Sequence, residues 1–329
     1  MKALKLPTPK KVLVTGAAGF IGSHTVDLLL REGHQVVGID DLSTGNLDNV
    51  QTALKSGRFH LEQADMLDEG LMDRLVAEFL PDAIIHLAGL VSVTLGQEQP
   101  ERNFRLNLES TKLVAEAARK HGCKRVVFAS SAAVYGDLEQ LPIQESDPKD
   151  PKSNYGTAKL MSEMLLQSYA KSYGMTCISN RFFNVFGPRQ DPHSPYSGVI
   201  SIFAERFSTG REATIFGDGQ QSRDFISVYD IAAGNVLAAT QKDVPSGAYN
   251  LCSGERQSLL DLVDALAKAL PTALPVNFAE EREGDIKHSQ GSNDKARVYL
   301  GFAPKIEFEA GIEDLVASTC ESTDELRVA

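Results

Sequence analysis

The chain of 329 residues is poor in cysteine and has no excess of positive charge. Its four cysteines, Cys123, Cys177, Cys252 and Cys320, are far apart and form no C-x-x-C pair or Cys/His cluster. Neither a zinc site nor a dense disulfide framework is indicated, so we expect reduced thiols that pack in the core and no bound metal. The net charge of −11 argues against a surface for nucleic acid or an anionic membrane. It says nothing against a small anionic ligand, because a local arginine can outweigh a distant surface field.

Long hydrophobic runs are also missing. The segment 79–93 is broken by Pro81, Asp82 and His86 before it reaches membrane length. The N-terminal M-K-A-L-K-L-P-T-P-K-K lacks the apolar core of a signal peptide. No internal repeat or low-complexity linker is present. We therefore expect a soluble cytoplasmic protein of one large domain or two modest ones.

A glycine-rich turn follows the first apolar segment. K-V-L-V-T at 11–15 predicts a strand, and G-A-A-G-F-I-G at 16–22 leads into a helical pattern. A strand, a glycine turn and a helix are the context of a dinucleotide fingerprint, although the spacing here is G-x-x-G-x-x-G. Such glycines let the backbone approach a pyrophosphate, and the helix N-terminus favours its negative charge. The alternative is an ordinary strand-to-helix turn.

The second predicted strand, at 35–39, ends in Asp40 and Asp41. Asp40 lies eighteen positions after Gly22, near the usual offset of the acid that binds the adenosine ribose. A carboxylate there accepts from the ribose hydroxyls and would repel a 2′-phosphate, so NAD is favoured over NADP. The alternative, a capping role at the start of a loop, fits Asp41 better than Asp40.

Strands and helices continue to alternate along the chain. The pattern predicts further strands at 59–63, 82–87, 125–129 and 176–179, and helices at 71–79, at 103–121 and from 153 onward. This alternation predicts an α/β fold, a doubly wound parallel sheet of the Rossmann type. Ligands bind such sheets at the carboxyl ends of the strands, where 16–22, Asp40, Asp65, Ala88, Gly89, Ser130 and Ser131 fall.

Regularity is lost from Arg181 onward, where prolines and short segments follow. We expect a second, smaller α+β domain that binds the substrate, made of residues 181–223 and 251–329. Residues 1–180 would form the cofactor-binding domain, to which 224–250 return as a strand and a helix.

The segment S-N-Y-G-T-A-K-L-M-S-E at 153–163 predicts the first turns of a helix capped by Ser153. Tyr155 and Lys159 are four residues apart, so their side chains share one face. A free phenol has a pKa of about 10 and is a poor base at neutral pH, but a nearby ammonium stabilises the phenolate. The alternative is a helix with one buried tyrosine and one surface lysine, because Y-x-x-x-K is common by chance.

Together these features resemble the extended short-chain dehydrogenase/reductase family, in its branch of nucleotide-sugar epimerases and dehydratases. The chain is most similar there to UDP-glucose and UDP-N-acetylglucosamine 4-epimerases, and the resemblance covers nearly all of it. The motifs are T-G-A-A-G-F-I-G at 15–22, H-L-A-G at 86–89, S-S-A-A-V-Y-G at 130–136, Y-G-T-A-K at 155–159, R-F-F-N-V-F-G-P-R at 181–189, S-R-D-F-I-S-V-Y-D at 222–230 and R-E-G-D at 282–285.

The resemblance implies three catalytic residues and bound NAD. Tyr155, as phenolate, would take the proton from a sugar hydroxyl while the hydride of that carbon goes to NAD. Ser131 would hydrogen-bond the same oxygen, unless its hydroxyl only satisfies the backbone at the strand end. Lys159 would hold the nicotinamide ribose and lower the pKa of Tyr155. The implied cofactor contacts are Gly16, Gly19, Phe20, Ile21, Gly22, Asp40, Asp65, Met66, Leu87, Ala88, Gly89, Asn107, Tyr155, Lys159 and Phe183.

The residues after Ser131 bear on the reaction. Sugar 4,6-dehydratases of this family carry Thr-Asp-Glu at this place and decarboxylating relatives a Glu, whereas this chain has Ala132 and Ala133. Methyl groups cannot move the protons of a dehydration. What remains is oxidation to a 4-keto sugar and return of the hydride to its other face, which is 4-epimerisation.

Substrate contacts are implied by the same resemblance. Asn184 matches a residue near the nucleotide diphosphate, and Arg223 and Arg282 match two arginines on the pyrophosphate, as suits guanidinium. Surface salt bridging is the alternative for both arginines. Asp285 belongs to the same motif as Arg282, and Ser289 falls where glucose-restricted epimerases carry a bulky tyrosine.

A small residue at 289 leaves room for an acetamido group, which favours UDP-GlcNAc and UDP-GalNAc, with UDP-Glc and UDP-Gal as further substrates. Alternatives are 4-epimerisation of a UDP-uronic acid, a UDP-pentose or a dTDP-hexose, a dehydratase, or a non-catalytic NAD-sensing protein. The family also implies a homodimer in which the helix 103–121 and the Tyr155 helix form an intersubunit four-helix bundle.

Overall fold

The computed structural model describes residues 9–191, 198–270, 275–281 and 287–328. The strands are β1 Lys11–Thr15, β2 Gln35–Asp40, β3 Phe59–Gln63, β4 Ala83–His86, β5 Arg125–Ser131, β6 Thr176–Phe182, β7 Asn184–Phe186, β8 Ala213–Phe216, β9 Ser222–Arg223, β10 Phe225–Ser227, β11 Gly247–Leu251, β12 Gln257–Ser258 and β13 Val276–Ala279. The α-helices are α1 Phe20–Arg31, α2 Gln51–Leu54, α3 Leu71–Phe79, α4 Val93–Glu98, α5 Pro100–Phe104, α6 Ser110–Lys120, α7 Asn154–Tyr173, α8 Val199–Ser208, α9 Val228–Thr240, α10 Leu259–Ala269, α11 Asp294–Leu300 and α12 Phe308–Val328.

Seven parallel strands form the central sheet, in the order β11-β6-β5-β4-β1-β2-β3. The strand order reverses at β1, where the chain first runs outward through β2 and β3 and then returns through β4. Strands such as β4, A-I-I-H, are buried along their whole length because helices cover both faces of the sheet. The predicted doubly wound α/β fold is thereby confirmed.

Two apolar layers hold the helices on the sheet. One layer joins α1 and α9 to the sheet through residues such as Val26, Leu29 and Ile231. The other joins α3, α6 and α7 through residues such as Leu75 and Leu166.

A further apolar cluster lies outside the sheet, where α8, α10 and α12 pack around aromatic residues such as Phe203 and Phe207. The short parallel pair β8 and β13 adds Ile215 to this cluster. Strand β6 continues through Phe182 and β11 through Leu251, slightly past the boundaries expected from the sequence. The division into two domains stays a prediction.

The helix predicted at 103–121 is interrupted rather than uniform. It consists of α5, a π-helical segment Arg105–Glu109 and α6. A π-segment accommodates one extra residue and is frequent at functional sites. No α-helix of the described ranges has both the length and the apolar character needed to cross a bilayer.

Candidate active site

A cleft of about 2620 Å³ opens at the carboxyl edge of the sheet, between the sheet and the helices α8 and α12. It brings together most of the residues predicted for cofactor and catalysis. Among the residues lining it are Gly16, Gly19, Phe20, Ile21, Gly22, Asp40, Asp65, Met66, Leu87, Ala88, Gly89, Ser131, Tyr155, Lys159, Phe183 and Asn184. Asn107, Arg223 and Ser289 lie outside this lining.

The glycine turn leaves no room for side chains. Gly16 has a φ of 68°, and a Cβ atom there would lie 2.9 Å from the backbone nitrogen of Ala88. A Cβ atom at Gly22 would lie 1.8 Å from the carbonyl oxygen of Gly16. Helix α1 begins directly after Gly19, and no side chain caps its first N–H groups. The turn therefore presents bare backbone and a helix N-terminus to the cleft, as a pyrophosphate requires.

Asp40 stands at the end of β2 and is 8% exposed. Its two oxygens accept from the backbone N–H groups of Ala18 and Leu42, each at 2.9 Å. Burial raises the pKa of this carboxyl, and these hydrogen bonds oppose the rise. Each oxygen keeps a further lone pair for a ribose hydroxyl. Asp41, in contrast, accepts from the N–H and the hydroxyl of Ser43, which is the capping role considered for it.

Tyr155 and Lys159 lie in the first turns of α7, whose N-cap is Ser153, as the sequence predicts. The Ser153 hydroxyl accepts from the N–H of Gly156 at 3.1 Å. A Cβ atom at Gly156 would come 2.6 Å from the carbonyl oxygen of Ala133, so α7 packs directly on the turn that follows Ser131. Lys159 is only 2% exposed, which contradicts the alternative of a surface lysine.

The electrostatics of this pair differ from the expectation. Burial raises the pKa of Tyr155, and a hydrogen bond with Ser131 works against that rise. Burial lowers the pKa of Lys159 to about 7. The Lys159 ammonium lies 4.8 Å from the ring centre of Phe128 and 5.7 Å from that of Tyr155. In the protein alone, desolvation thus outweighs the lowering of the Tyr155 pKa that we expected from Lys159.

Ser131 ends β5, and its hydroxyl oxygen accepts from the N–H of Ala133 at 3.2 Å. Ser131 therefore does have the backbone role considered as the alternative, but this role uses only a lone pair of its hydroxyl oxygen. The hydroxyl proton remains available toward Tyr155 or a ligand. Ala132 and Ala133 form the short 3-10 turn that follows, so methyl groups stand where an added acid and base would be needed.

Asn107 lies in the π-helical segment and is fully buried. Its amide nitrogen donates to the carbonyl oxygen of Leu90 and to Asn103 Oδ1, both at 3.0 Å. Its Oδ1 accepts no hydrogen bond from the described residues. A Cβ atom at Gly89 would lie 2.6 Å from this oxygen and 3.5 Å from Lys159 Nζ. Gly89 lines the cleft, and an acceptor without a partner among the described residues and an ammonium lie close to it, which suits a ribose with its hydroxyls.

His86, in the H-L-A-G motif, is a contributor that the sequence did not reveal. The Ser110 hydroxyl donates to a backbone carbonyl and so accepts from His86 Nε2 at 3.3 Å. His86 Nδ1 then accepts from the Thr15 hydroxyl at 2.8 Å, and Thr15 Oγ1 accepts from the N–H groups of Leu87 and Ala88. Burial lowers the pKa of His86 to about 3, so a neutral imidazole holds the strand end beneath Gly89.

A buried ion pair also escaped the sequence analysis. Arg181 in β6 contacts Glu163 in α7 through two hydrogen bonds, Nε to Oε1 at 2.9 Å and Nη2 to Oε2 at 2.6 Å. The Ser130 hydroxyl donates to the same carboxylate at 2.5 Å. The Tyr135 hydroxyl accepts from Arg181 Nη1 at 2.8 Å and donates to Asn250 in β11 at 2.7 Å. This network joins the catalytic helix to the residue that precedes Ser131.

The predicted substrate residues form a separate group. Asn184 is exposed in the cleft, at the start of β7. Arg223 Nη1 approaches the carbonyl oxygen of Lys287 at 3.5 Å, and Ser289 donates its N–H to the carbonyl oxygen of Ser222 at 3.0 Å. Arg223 and Ser289 are thus neighbours on adjoining segments. The predicted contacts Arg282 and Asp285 lie outside the described residues.

Fold and site together define a dinucleotide-dependent enzyme of the short-chain dehydrogenase/reductase type. The family described as the NAD dependent epimerase/dehydratase family matches residues 12–252. The chain belongs to this family. It is 39% identical to the UDP-glucose 4-epimerase of Mycolicibacterium smegmatis, over 93% of this chain and 97% of that protein.

Solved structures agree. The UDP-glucose 4-epimerase of Thermus thermophilus in complex with NAD is 37% identical, with a TM-score of 0.85 over 94% of this chain and 98% of that one. The UDP-N-acetylglucosamine 4-epimerase of Methanobrevibacter ruminantium in complex with UDP-N-acetylmuramic acid is 34% identical, with a TM-score of 0.90 over 96% and 99%. The predicted family, NAD as cofactor and the enzyme class of a nucleotide-sugar 4-epimerase are thereby confirmed.

Proposed function

We propose that this protein interconverts UDP-GlcNAc and UDP-GalNAc by inversion at C4, and that UDP-Glc and UDP-Gal are further substrates. The observation that supports 4-epimerisation most directly is that Tyr155 and Ser131 both line the cleft, while Ala132 and Ala133 directly follow Ser131. A relative 39% identical is a UDP-glucose 4-epimerase, which favours UDP-Glc as the second substrate.

The cofactor would be held by residues that fit it without rearrangement. The bare turn from Gly16 to Gly22 suits the pyrophosphate, Asp40 the adenosine ribose, and the space above Gly89 the nicotinamide ribose. Bound NAD supplies a hydride acceptor and, when oxidised, a positive charge that favours a nearby phenolate.

The protein's own residues move one proton. Tyr155 Oη, as phenolate, accepts the proton of the C4 hydroxyl and later returns it to the same oxygen. Ser131 donates a hydrogen bond to that oxygen, which favours the carbonyl form while the sugar is oxidised. Lys159 is buried, with its Nζ 5.7 Å from the centre of the Tyr155 ring, and supplies positive charge near the phenol when it is protonated. Epimerisation then requires the 4-keto sugar to present its other face, without a further acid or base.

The preference for an acetamido group rests on Ser289. Its side chain is small and half-buried, on the segment that pairs with β9 beside Arg223. We propose that Asn184, Arg223 and Ser289, with Arg282 and Asp285, contact the UDP-sugar.

The decisive experiment is to incubate the pure protein with a panel of UDP-sugars and to follow inversion at C4 by NMR. Formation of UDP-GalNAc from UDP-GlcNAc supports the proposal. Turnover of another nucleotide sugar with none of UDP-GlcNAc would refute the substrate assignment, and a product of altered sugar mass would indicate a dehydratase or a decarboxylase. Ser289→Tyr should reduce turnover of UDP-GlcNAc more than that of UDP-Glc, whereas Ser289→Ala should preserve both.

We further propose a homodimer through α7 and the helix that runs from α5 to α6. Met161 and Met164 of α7 are three residues apart and 42% and 66% exposed, so they present two apolar side chains on one face of the helix. Met161→Glu combined with Met164→Glu should convert dimers to monomers in light scattering. Val298→Glu, at a 73% exposed apolar residue of α11, should leave the dimer intact. A monomeric wild-type protein would contradict the proposal.

A further inference from the structure

Asp224 is a completely buried carboxylate to which the mechanism above assigns no role. Its Oδ1 accepts from the N–H and the hydroxyl of Ser253, at 2.8 and 2.7 Å. Its Oδ2 accepts from the N–H groups of Gly254 and Gly291, both at 3.1 Å. The donors belong to two segments distant in sequence, so one side chain joins three parts of the chain. All of these donors are neutral, and the carboxylate acts through hydrogen bonds rather than through an ion pair.

Two of the joined segments, those of Asp224 and Gly291, carry the predicted substrate residues Arg223 and Ser289, and the segment of Asn184 is bonded to the backbone of Asp224. Arg223 directly precedes Asp224, and the carbonyl oxygen of Asp224 accepts from the N–H of Asn184 at 3.1 Å. Ser289 lies two residues before Gly291 and donates its N–H to the carbonyl oxygen of Ser222. Asp224 is therefore bonded directly to the backbone of one candidate and stands next to the backbone of the other two.

The segment at Gly291 has little freedom to shift. A Cβ atom there would lie 2.6 Å from the ring of Phe183 and 2.7 Å from the sulfur of Cys252. Gly254, the other glycine donor, has a φ of 86°. The backbone at Gly291 therefore has no room for a side chain, and the conformation of Gly254 is one that favours glycine. A change at Asp224 is consequently transmitted to the position of the neighbouring segment.

We propose that Asp224 is a positioning residue for the substrate, whose carboxylate sets the placement of Ser289 relative to Arg223, while its backbone carbonyl holds Asn184. This role rests on the proposed function, in which those residues contact the UDP-sugar. An arginine and a neutral side chain on different segments can grip one diphosphate-sugar only if the spacing between their backbones is fixed. Asp224 would thus act on substrate affinity and leave the proton transfer at Tyr155 unchanged.

The test is Asp224→Asn in the NAD-loaded enzyme, with kcat and KM measured for UDP-GlcNAc and UDP-Glc. An amide reproduces the shape but turns one acceptor into a donor that faces N–H groups. We expect KM to rise by about 10-fold, equivalent to about 1.4 kcal/mol, with kcat within about threefold. Bound NAD should stay at the wild-type level.

Asp230→Asn is the matched control. Asp230 is also buried, at 4% exposure, and also accepts from backbone N–H groups, those of Lys305 and Ile306 at 3.0 and 3.2 Å. It bonds to none of the segments that carry Asn184 or Ser289. Its replacement should lower the melting temperature without changing KM. Equal KM effects in both variants, or an unchanged KM in Asp224→Asn, would overturn the positioning role.

Two further variants complete the test. If Asp224→Asn does not fold, Ser253→Ala decides, because it removes one hydrogen bond to the carboxylate and keeps the backbone bonds. A KM raised about two- to fivefold at constant kcat supports the role, and an unchanged KM refutes it. Arg223→Ala tests the substrate contact separately from the positioning role of Asp224. An unchanged KM in this variant would show that Arg223 does not contact the UDP-sugar. If wild-type protein turns over no UDP-sugar, the proposed function fails, and the positioning role falls with it.

Discussion

Removing one partner of the buried pair Glu163–Arg181 should destabilise the protein far more than removing both. The two side chains are 7% and 4% exposed and meet in a fork with a shortest N–O distance of 2.6 Å. Arg181→Met leaves the Glu163 carboxylate buried, with the Ser130 hydroxyl as its one remaining donor among the described residues. Loss of one member of a buried pair costs about 3–5 kcal/mol, because the remaining charge stays desolvated. Since a typical domain has about 5–15 kcal/mol of stability, this is a large fraction.

The double variant Glu163→Met with Arg181→Met leaves no charge behind. The hydroxyls of Ser130 and Tyr135 each lose one hydrogen bond to the pair, at about 1 kcal/mol each. We therefore expect a total cost of about 1–3 kcal/mol, well below the sum of the two single costs. Urea unfolding at one fixed NAD concentration gives the three free energies, because bound cofactor would otherwise shift them.

Arg74→Met is the matched control, because it removes one partner of a solvent-exposed ion pair. Arg74 contacts Glu62 at a similar N–O distance, 2.7 Å, but the two side chains are 48% and 27% exposed. Its removal should cost at most about 1 kcal/mol. A double variant of Glu163 and Arg181 whose cost equals the sum of the single costs would refute the reasoning, as would single variants no costlier than Arg74→Met.

Three further outcomes are expected. Tyr155→Phe should lower kcat by about 10²–10⁴-fold while bound NAD is retained, because the ring stays and only the proton carrier is lost; activity near the wild-type level would remove Tyr155 as the base. Gly89→Ala should weaken retention of NAD on gel filtration, because the added methyl would lie 2.6 Å from Asn107 Oδ1, and full retention would contradict the cofactor assignment of this space. Burial lowers the pKa of His24 to about 4 in the folded protein, whereas the pKa of a free histidine is about 6.5. Between these two values only the unfolded chain binds the proton, so the free energy of unfolding falls as the pH drops from about 6.5 to about 4. His24→Gln can still donate to the Pro188 carbonyl and should flatten the dependence of the unfolding free energy by about 1.4 kcal/mol per pH unit; an unchanged slope would contradict this.

Features that depend on neighbours in the sequence were predictable. The glycine turn, the cap at Ser153 and the shared face of Tyr155 and Lys159 involve residues a few positions apart, and backbone sterics or helix geometry dictate them. The buried parallel strands were predictable for a similar reason, since runs such as A-I-I at 83–85 are apolar throughout.

Features that depend on distant residues were not predictable. The hydrogen bond from Tyr135 to Asn250 joins residues 115 positions apart, and the one from Gly291 to Asp224 joins residues 67 apart. The sequence alone does not indicate which of its distant residues form such hydrogen bonds. The raised pKa of Tyr155 was missed because the presence of Lys159 is visible in the sequence, whereas the loss of water around the phenol depends on the packed structure.

The π-helical segment Arg105–Glu109 also affects which side chains of α6 face the same direction as those of α5. In a regular α-helix each residue advances by about 100°, so a face can be followed by counting in threes and fours. One extra residue within this turn offsets that count for the residues that follow it. The π-helical segment thus determines how α6 is rotated about the helix axis relative to α5.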